Sequence, residues 1–214
     1  MIFNKKKIIA VGAHFDDIEM GCGGTIAKLA KNNEITAIVI CDSEIRFGRK
    51  ILRSKKVARK EGMKALKILG VKKIVTFNIQ TNQIEKKKDY IYSQLAKLSS
   101  KFNYDCVFSH WFGDAHRDHK ELSKICLSIF RKINNFFMFE SNYYFGEKKM
   151  KKNFFFDISN EAYLKIKAIK EHKSEMRRNK NKWLKYYENE YKNNGLIFDR
   201  KACEGFYLLK YIQD

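Results

Sequence analysis

Short apolar runs alternate with amphipathic stretches along most of this chain, and that alternation restricts the fold more than any other feature. Residues 7–13, centred on Ile8-Ile9-Ala10-Val11, read as a buried strand, and residues 23–31 as a helix with Ile26, Leu29 and Ala30 on one face. Residues 35–41 are a second β-rich run. Residues 53–69 read as a long helix stopped by Gly70, and residues 73–77 as a short strand. A helix over 90–98, a strand over 104–109 and a helix carrying Leu122, Ile125, Ile129 and Ile133 continue the pattern. A strand over 136–140, an aromatic region over 143–156, a helix over 161–175 and a closing strand over 204–209 complete it. Strands and helices in this order call for a three-layer α/β/α domain with a mostly parallel sheet. With no repeat and no linker, residues 1–214 read as one domain.

Three charged groups follow the first strand: His14, Asp16 and Asp17, separated by Phe15. The fourth strand leads into His110-Trp111-Phe112-Gly113-Asp114-Ala115-His116-Arg117-Asp118-His119. The carboxyl ends of parallel strands share one edge, where open α/β sheets place ligands, so the two stretches can meet. His14, Asp17 and His119 then supply two imidazoles and one carboxylate, the ligand count of a catalytic zinc with an open position. The same set serves Fe(II) or another divalent metal. Asp16, adjacent but pointing elsewhere, is placed to act as a general base on water acidified by the metal. His116, three residues before His119, is placed to donate to a developing oxyanion. Together the groups describe metal-assisted amide or ester hydrolysis.

Each part has a plainer reading. Asp16 or Asp17 suits the cap of a helix starting near Gly21, and Asp118 with Glu121 suits a capping box. The Gly21-Cys22-Gly23-Gly24 turn lacks the spacing of a dinucleotide fingerprint, and acidic groups precede it.

Composition excludes several classes. The five cysteines form no CxxC pair; Cys22 lies in the first glycine-rich turn and Cys41 and Cys106 end apolar runs, and they read as buried thiols of a reducing compartment. The basic amino terminus lacks the apolar core of a signal peptide, and no run spans a bilayer, so a soluble cytoplasmic protein is expected. The net charge of +20 suits an anionic substrate or membrane, but its scatter, in a chain without proline, suits compositional bias and no specific nucleic-acid partner. The densest basic clusters, 148–152 and 177–185, read as solvated faces.

His14-Phe15-Asp16-Asp17 with Glu19-Met20-Gly21-Cys22-Gly23-Gly24-Thr25 resembles the first motif of the PIG-L/LmbE-like N-deacetylases, and residues 114–119 resemble their second. Residues 61–70, 155–174 and 204–206 are similar to later family segments, so the resemblance covers most of the chain. It implies a Rossmann-like fold and a metal-dependent hydrolase, with Zn²⁺ as cofactor, that removes the N-acetyl group from an N-acetylated amino sugar of the GlcNAc type. It implies His14, Asp17 and His119 as ligands, Asp16 as base, His116 as oxyanion stabiliser or acid, and Asp118 as the partner of His116. It also implies a homo-oligomer. Two positions depart from the pattern: Phe15 replaces a proline, and Ala58 stands where an arginine often binds substrate. Arg53, Arg59, His110 and Asp114 are the candidate substrate contacts. The competing reading is a catalytically inactive sugar- or nucleotide-binding module with a vestigial site.

Overall fold

The computed structural model describes residues 3–144 and 149–212, so Lys148 of the first basic cluster lies outside the described residues. In chain order the elements are β1 (Lys7–Gly12), α1 (Asp17–Leu29), β2 (Glu34–Cys41), β3 (Ile45–Phe47), β4 (Lys50–Arg53), α2 (Lys55–Ile68), β5 (Lys73–Ile79), α3 (Lys88–Phe102), β6 (Cys106–His110), α4 (Arg117–Ile129) and β7 (Asn135–Phe139). They continue with β8 (Phe154–Asp157), α5 (Ala162–Glu171), α6 (Lys173–Arg178), α7 (Lys182–Leu196) and β9 (Cys203–Lys210).

Seven strands form the main sheet in the order β5-β2-β1-β6-β7-β9-β8. The first five run parallel; β9 is antiparallel to both β7 and β8. Alternate residues of β1 enter opposite layers. Ile8 and Ala10 pack with residues of α1, α2 and α5, whereas Ile9 and Val11 pack with residues of α3 and α4. This two-sided burial explains why β1 is a continuous apolar run rather than an alternating one. The expected three-layer, mostly parallel architecture is what the chain adopts. The strand order reverses between β1 and β6, so the crevice at their carboxyl ends is the topological switch point, and both histidine stretches begin there.

Several elements differ from expectation. Residues 45–53 form a hairpin turning at Gly48 (φ +58°), so Arg53 ends β4 instead of opening a helix. The helix expected over 161–175 breaks at His172 into α5 and α6, and 182–196 form α7, while Arg177, Arg178, Lys180, Lys182 and Lys185 of the second basic cluster are exposed as expected. β8 lies within the aromatic region. Helix α4 begins one residue before Asp118 and is capped by the ring of His116, so no Asp118–Glu121 capping box forms; Glu121 pairs with Lys124 instead. Among the described residues no helix is long and apolar enough to cross a membrane. All five cysteines are free and buried.

Helix α1 starts at Asp17, six residues earlier than expected, and is interrupted at Cys22 (φ −145°, ψ 20°). The interruption is filled by a buried ion pair. Lys165 Nζ donates to the Met20 carbonyl and to Glu204 Oε1, each at 2.6 Å, while Gly24 N–H and Thr25 N–H donate to the two Glu204 oxygens. One carbonyl of the first half-helix and two N–H groups of the second thereby find partners. The glycines here serve close packing. A Cβ on Gly21 would lie 2.1 Å from the Phe139 ring. Gly21→Ala is therefore expected to cost about 1–3 kcal/mol in urea unfolding through overpacking. An unchanged midpoint would remove this account of the glycine.

Candidate functional site

The loop after β1 and the first turn of α1 carry His14, Asp16 and Asp17; the loop after β6 and the start of α4 carry His116, Asp118 and His119. Sheet order brings the two groups together. His119 Nε2 lies 3.2 Å from Asp17 Oδ1 and 3.4 Å from His14 Nδ1, and His14 Nδ1 lies 3.4 Å from Asp17 Oδ2. Ligand atoms about 2.0–2.1 Å from a tetrahedral zinc lie roughly 3.3 Å apart, and each of these pairs is close to that spacing, the two Asp17 contacts running to different oxygens. Donor atoms of His14, His116 and His119 also fall within 4.8 Å of one another, which places His116 beside the same point.

Neighbouring groups fix the orientation of each member. His119 Nδ1 faces Asp114 Oδ2 at 3.1 Å, and its ring stacks on His110 with centroids 3.9 Å apart. Asp17 accepts from the His14 N–H at 2.6 Å and from Ser141 Oγ at 2.9 Å. His110 is fully buried; Ala13 N–H donates to its Nε2, which lies 3.2 Å from Asp17 Oδ2. Asp114, also buried, accepts from His116 N–H and Asn142 Nδ2. His110 and Asp114 are buried and are not among the residues that line the cleft, and donor atoms of His110, Asp17 and His119 lie within 4.8 Å of one another.

Asp118 differs from its expected role. Its carboxylate lies 3.1 Å from His14 Nε2, and only its backbone N–H reaches His116, donating to Nδ1 at 3.2 Å. With Nδ1 accepting, the neutral His116 ring carries its proton on Nε2. Burial, with His119 and His14 adding to it, depresses the His116 pKa to about 4, so that ring is neutral at pH 7. Burial opposes the charge on His119, but Asp17 and Asp114 outweigh it and raise its pKa to about 9 in the metal-free protein.

Asp16 sits at the amino end of α1 with φ 130°, a strained value for a non-glycine residue, and its side chain caps nothing. Arg53, brought in by the hairpin and 3% exposed, donates Nη1–H to Asp16 Oδ2 at 3.1 Å. Its guanidinium also lies 3.8 Å from Glu61 and from Glu175, and 3.3 Å from His172 Nδ1. Burial lifts the Asp16 pKa to about 7, and Arg53 works against that rise. Arg53 therefore touches the candidate base. Arg59 lies apart, donating to Thr76 and Asn78 on β5.

The cleft over this cluster is lined by Asp16, Arg53, His116 and His119 together with Tyr144, Arg178 and Trp183. The last two come from the segment read as a solvated basic face. Arg178, exposed as expected, also grips Glu175 Oε2 through Nε at 2.9 Å and Nη2 at 2.5 Å. Residues 183, 187 and 191, aromatic and four apart, are the signal that identifies α7; Tyr187 and Tyr191 are buried.

Comparisons with known proteins agree with the fold. The chain is 28% identical over 179 residues to the uncharacterized deacetylase YaiS of Escherichia coli K12, covering 80% of this chain and 93% of that protein. It superposes with a TM-score of 0.80 and 22% identity on the N,N'-diacetylchitobiose deacetylase of Pyrococcus horikoshii, covering 95% of this chain and 84% of that one. It also superposes, at 0.79 and 18% identity with 98% of both chains covered, on GalB, the 4-carboxy-2-hydroxymuconate hydratase of Pseudomonas putida KT2440. The shared fold therefore carries more than one chemistry, and function has to be argued from the site. Residues 9–130, more than half of the chain and the span that includes both histidine stretches, match the model of the GlcNAc-PI de-N-acetylase (PIG-L) family, and the chain belongs to that family.

Proposed function

We propose that this protein is a zinc-dependent N-deacetylase that hydrolyses the acetamido group of an N-acetylated amino sugar. The observation that supports it best is the convergence of His14 Nδ1, Asp17 and His119 Nε2 at 3.2–3.4 Å, beneath a cleft that also receives Asp16 and His116. A bound divalent cation would polarise the amide carbonyl and acidify the attacking water. Asp16 takes the proton of that water, and Arg53 holds its carboxylate in place. His116 donates its Nε2 proton as a hydrogen bond to the carbonyl oxygen as negative charge develops there, a contribution of about 3–4 kcal/mol in comparable sites. Asp114 and Asp118 keep His119 and His14 turned towards the ligand position, the usual task of carboxylates behind metal-binding imidazoles. The family description and the deacetylase relatives favour an acetamido sugar over other amides.

Removing the metal tests the reading. Dialysis against a chelator is expected to abolish acetate release from N-acetylglucosaminides, and one equivalent of Zn²⁺ to restore it. Asp17→Ala is expected to abolish both metal uptake and turnover, because it removes the ligand between the two imidazoles. Metal-free wild-type protein indifferent to added Zn²⁺ would support a binding module instead.

A further inference from the structure

Behind the cluster, His14 presents its other nitrogen to a second set of donors. Its Nε2 lies 3.1 Å from Asp118 Oδ2, and Cys41 Sγ, at the end of β2, lies 3.8 Å from that same oxygen. One donor atom from each of the three residues falls within 4.8 Å of the others. Cys41 and Asp118 are 0% and 1% exposed. Asp118 Oδ2 also accepts from Asn82 N–H at 2.8 Å.

A carboxylate behind a metal-binding imidazole needs only to accept its N–H. The thiol there donates to Asp118 Oδ2 and so adds to the orientation of that carboxylate. It is also the softest ligand available to a zinc-like cation, and it selects such ions over magnesium or calcium. The dimensions suit an ion. Nitrogen and oxygen ligands of a tetrahedral zinc lie roughly 3.3 Å apart, and sulfur and oxygen ligands roughly 3.5 Å apart. A cation can therefore replace the proton between Nε2 and Oδ2, with sulfur as third ligand, once the His14 nitrogen and the Cys41 sulfur, which lie within 4.8 Å of each other, draw together around it.

We propose that His14 Nε2, Asp118 and Cys41 form a second metal site, distinct from the outer triad, and that a thiophilic divalent cation bound there inhibits the enzyme. The proposal rests on the outer triad being the catalytic metal site, because His14 is shared. Binding forms bonds from the cation to sulfur, nitrogen and oxygen and releases two protons to solvent, from the thiol and from His14 Nε2; nothing is oxidised or reduced. Inhibition follows because His14 and Asp118 are drawn towards β2 and away from His119 and Asp17. His14 lines the cleft but Cys41 and Asp118 do not, so the ring has to turn before the ion enters, and inhibition sets in slowly.

The test titrates Cd²⁺ into protein already loaded with one equivalent of Zn²⁺. Wild type is expected to take up one further equivalent, with sulfur-to-cadmium charge-transfer absorption and a slow loss of acetate release. Cys41→Ala and the better space-filling Cys41→Ser are expected to keep the first equivalent and normal turnover. Both variants should lose the charge-transfer band and need at least about tenfold more Cd²⁺ for half-inhibition, the loss of roughly 1.4 kcal/mol of binding. A band that persists in both variants, or wild type that shows no band, overturns the inner site while leaving the outer triad standing. Wild type that retains no first equivalent overturns both.

Discussion

Asp16→Asn is expected to retain one equivalent of metal and to lower kcat for deacetylation about 10²–10⁴-fold, the range that a positioned proton acceptor contributes. The hydrogen bond of the Asp16 side chain goes to Arg53 and not to His14, Asp17 or His119, and the side chain lines the cleft. The amide keeps the shape of the carboxylate and can still accept from the guanidinium, but it cannot take a proton from water. Metal content and turnover measured on one preparation separate this outcome from the one expected of Asp17→Ala, in which both are lost. An Asp16→Asn variant that turned over at the wild-type rate would remove Asp16 from the reaction.

Arg53→Met is expected to lower stability by about 3–5 kcal/mol, the cost of stripping one partner from a buried ionic network. Asp16, Glu61 and Glu175 all lie within 3.8 Å of this guanidinium, and the Arg53 side chain is 2% exposed. Its removal leaves three carboxylates close together with no guanidinium between them. Arg53→Lys is expected to recover only part of the loss, because one ammonium does not span carboxylates on different sides of a planar fork. Urea unfolding of the two variants checks both statements. A methionine variant within about 0.5 kcal/mol of wild type, the range of an ordinary surface substitution, would show that the network is not held by Arg53. A stable but inactive variant would instead assign Arg53 to the cleft alone.

Much of the architecture was legible along the chain because its cause is local. The run 8–11 is apolar at every position since β1 is covered on both faces, and the helix over 55–68 ends before Gly70 in its left-handed conformation (φ +81°). The hairpin at 45–53 was not legible. Phe47, Ile51 and Leu52 are largely exposed on a two-stranded arm, so no buried face imposes a period of two, and the lysines after Arg53 favour a helix equally well. The break at Cys22 was also hidden, since the groups that stabilise it, Lys165 and Glu204, come from the far end of the chain.

The same division runs through the site. By itself the sequence determined that two groups of histidines and aspartates stand at strand ends, because strand length and the rule that ligands sit at carboxyl edges are properties of short segments. The tertiary structure alone decided who touches whom. It turned Asp118 onto His14, 104 residues away, instead of onto His116 beside it. It carried Arg53 onto Asp16, placed Arg178 and Trp183 over the cleft, and left Arg59 on β5. Those contacts depend on strand order and on how loops cross the sheet edge, and side chains that meet only after folding leave no periodic trace along the chain.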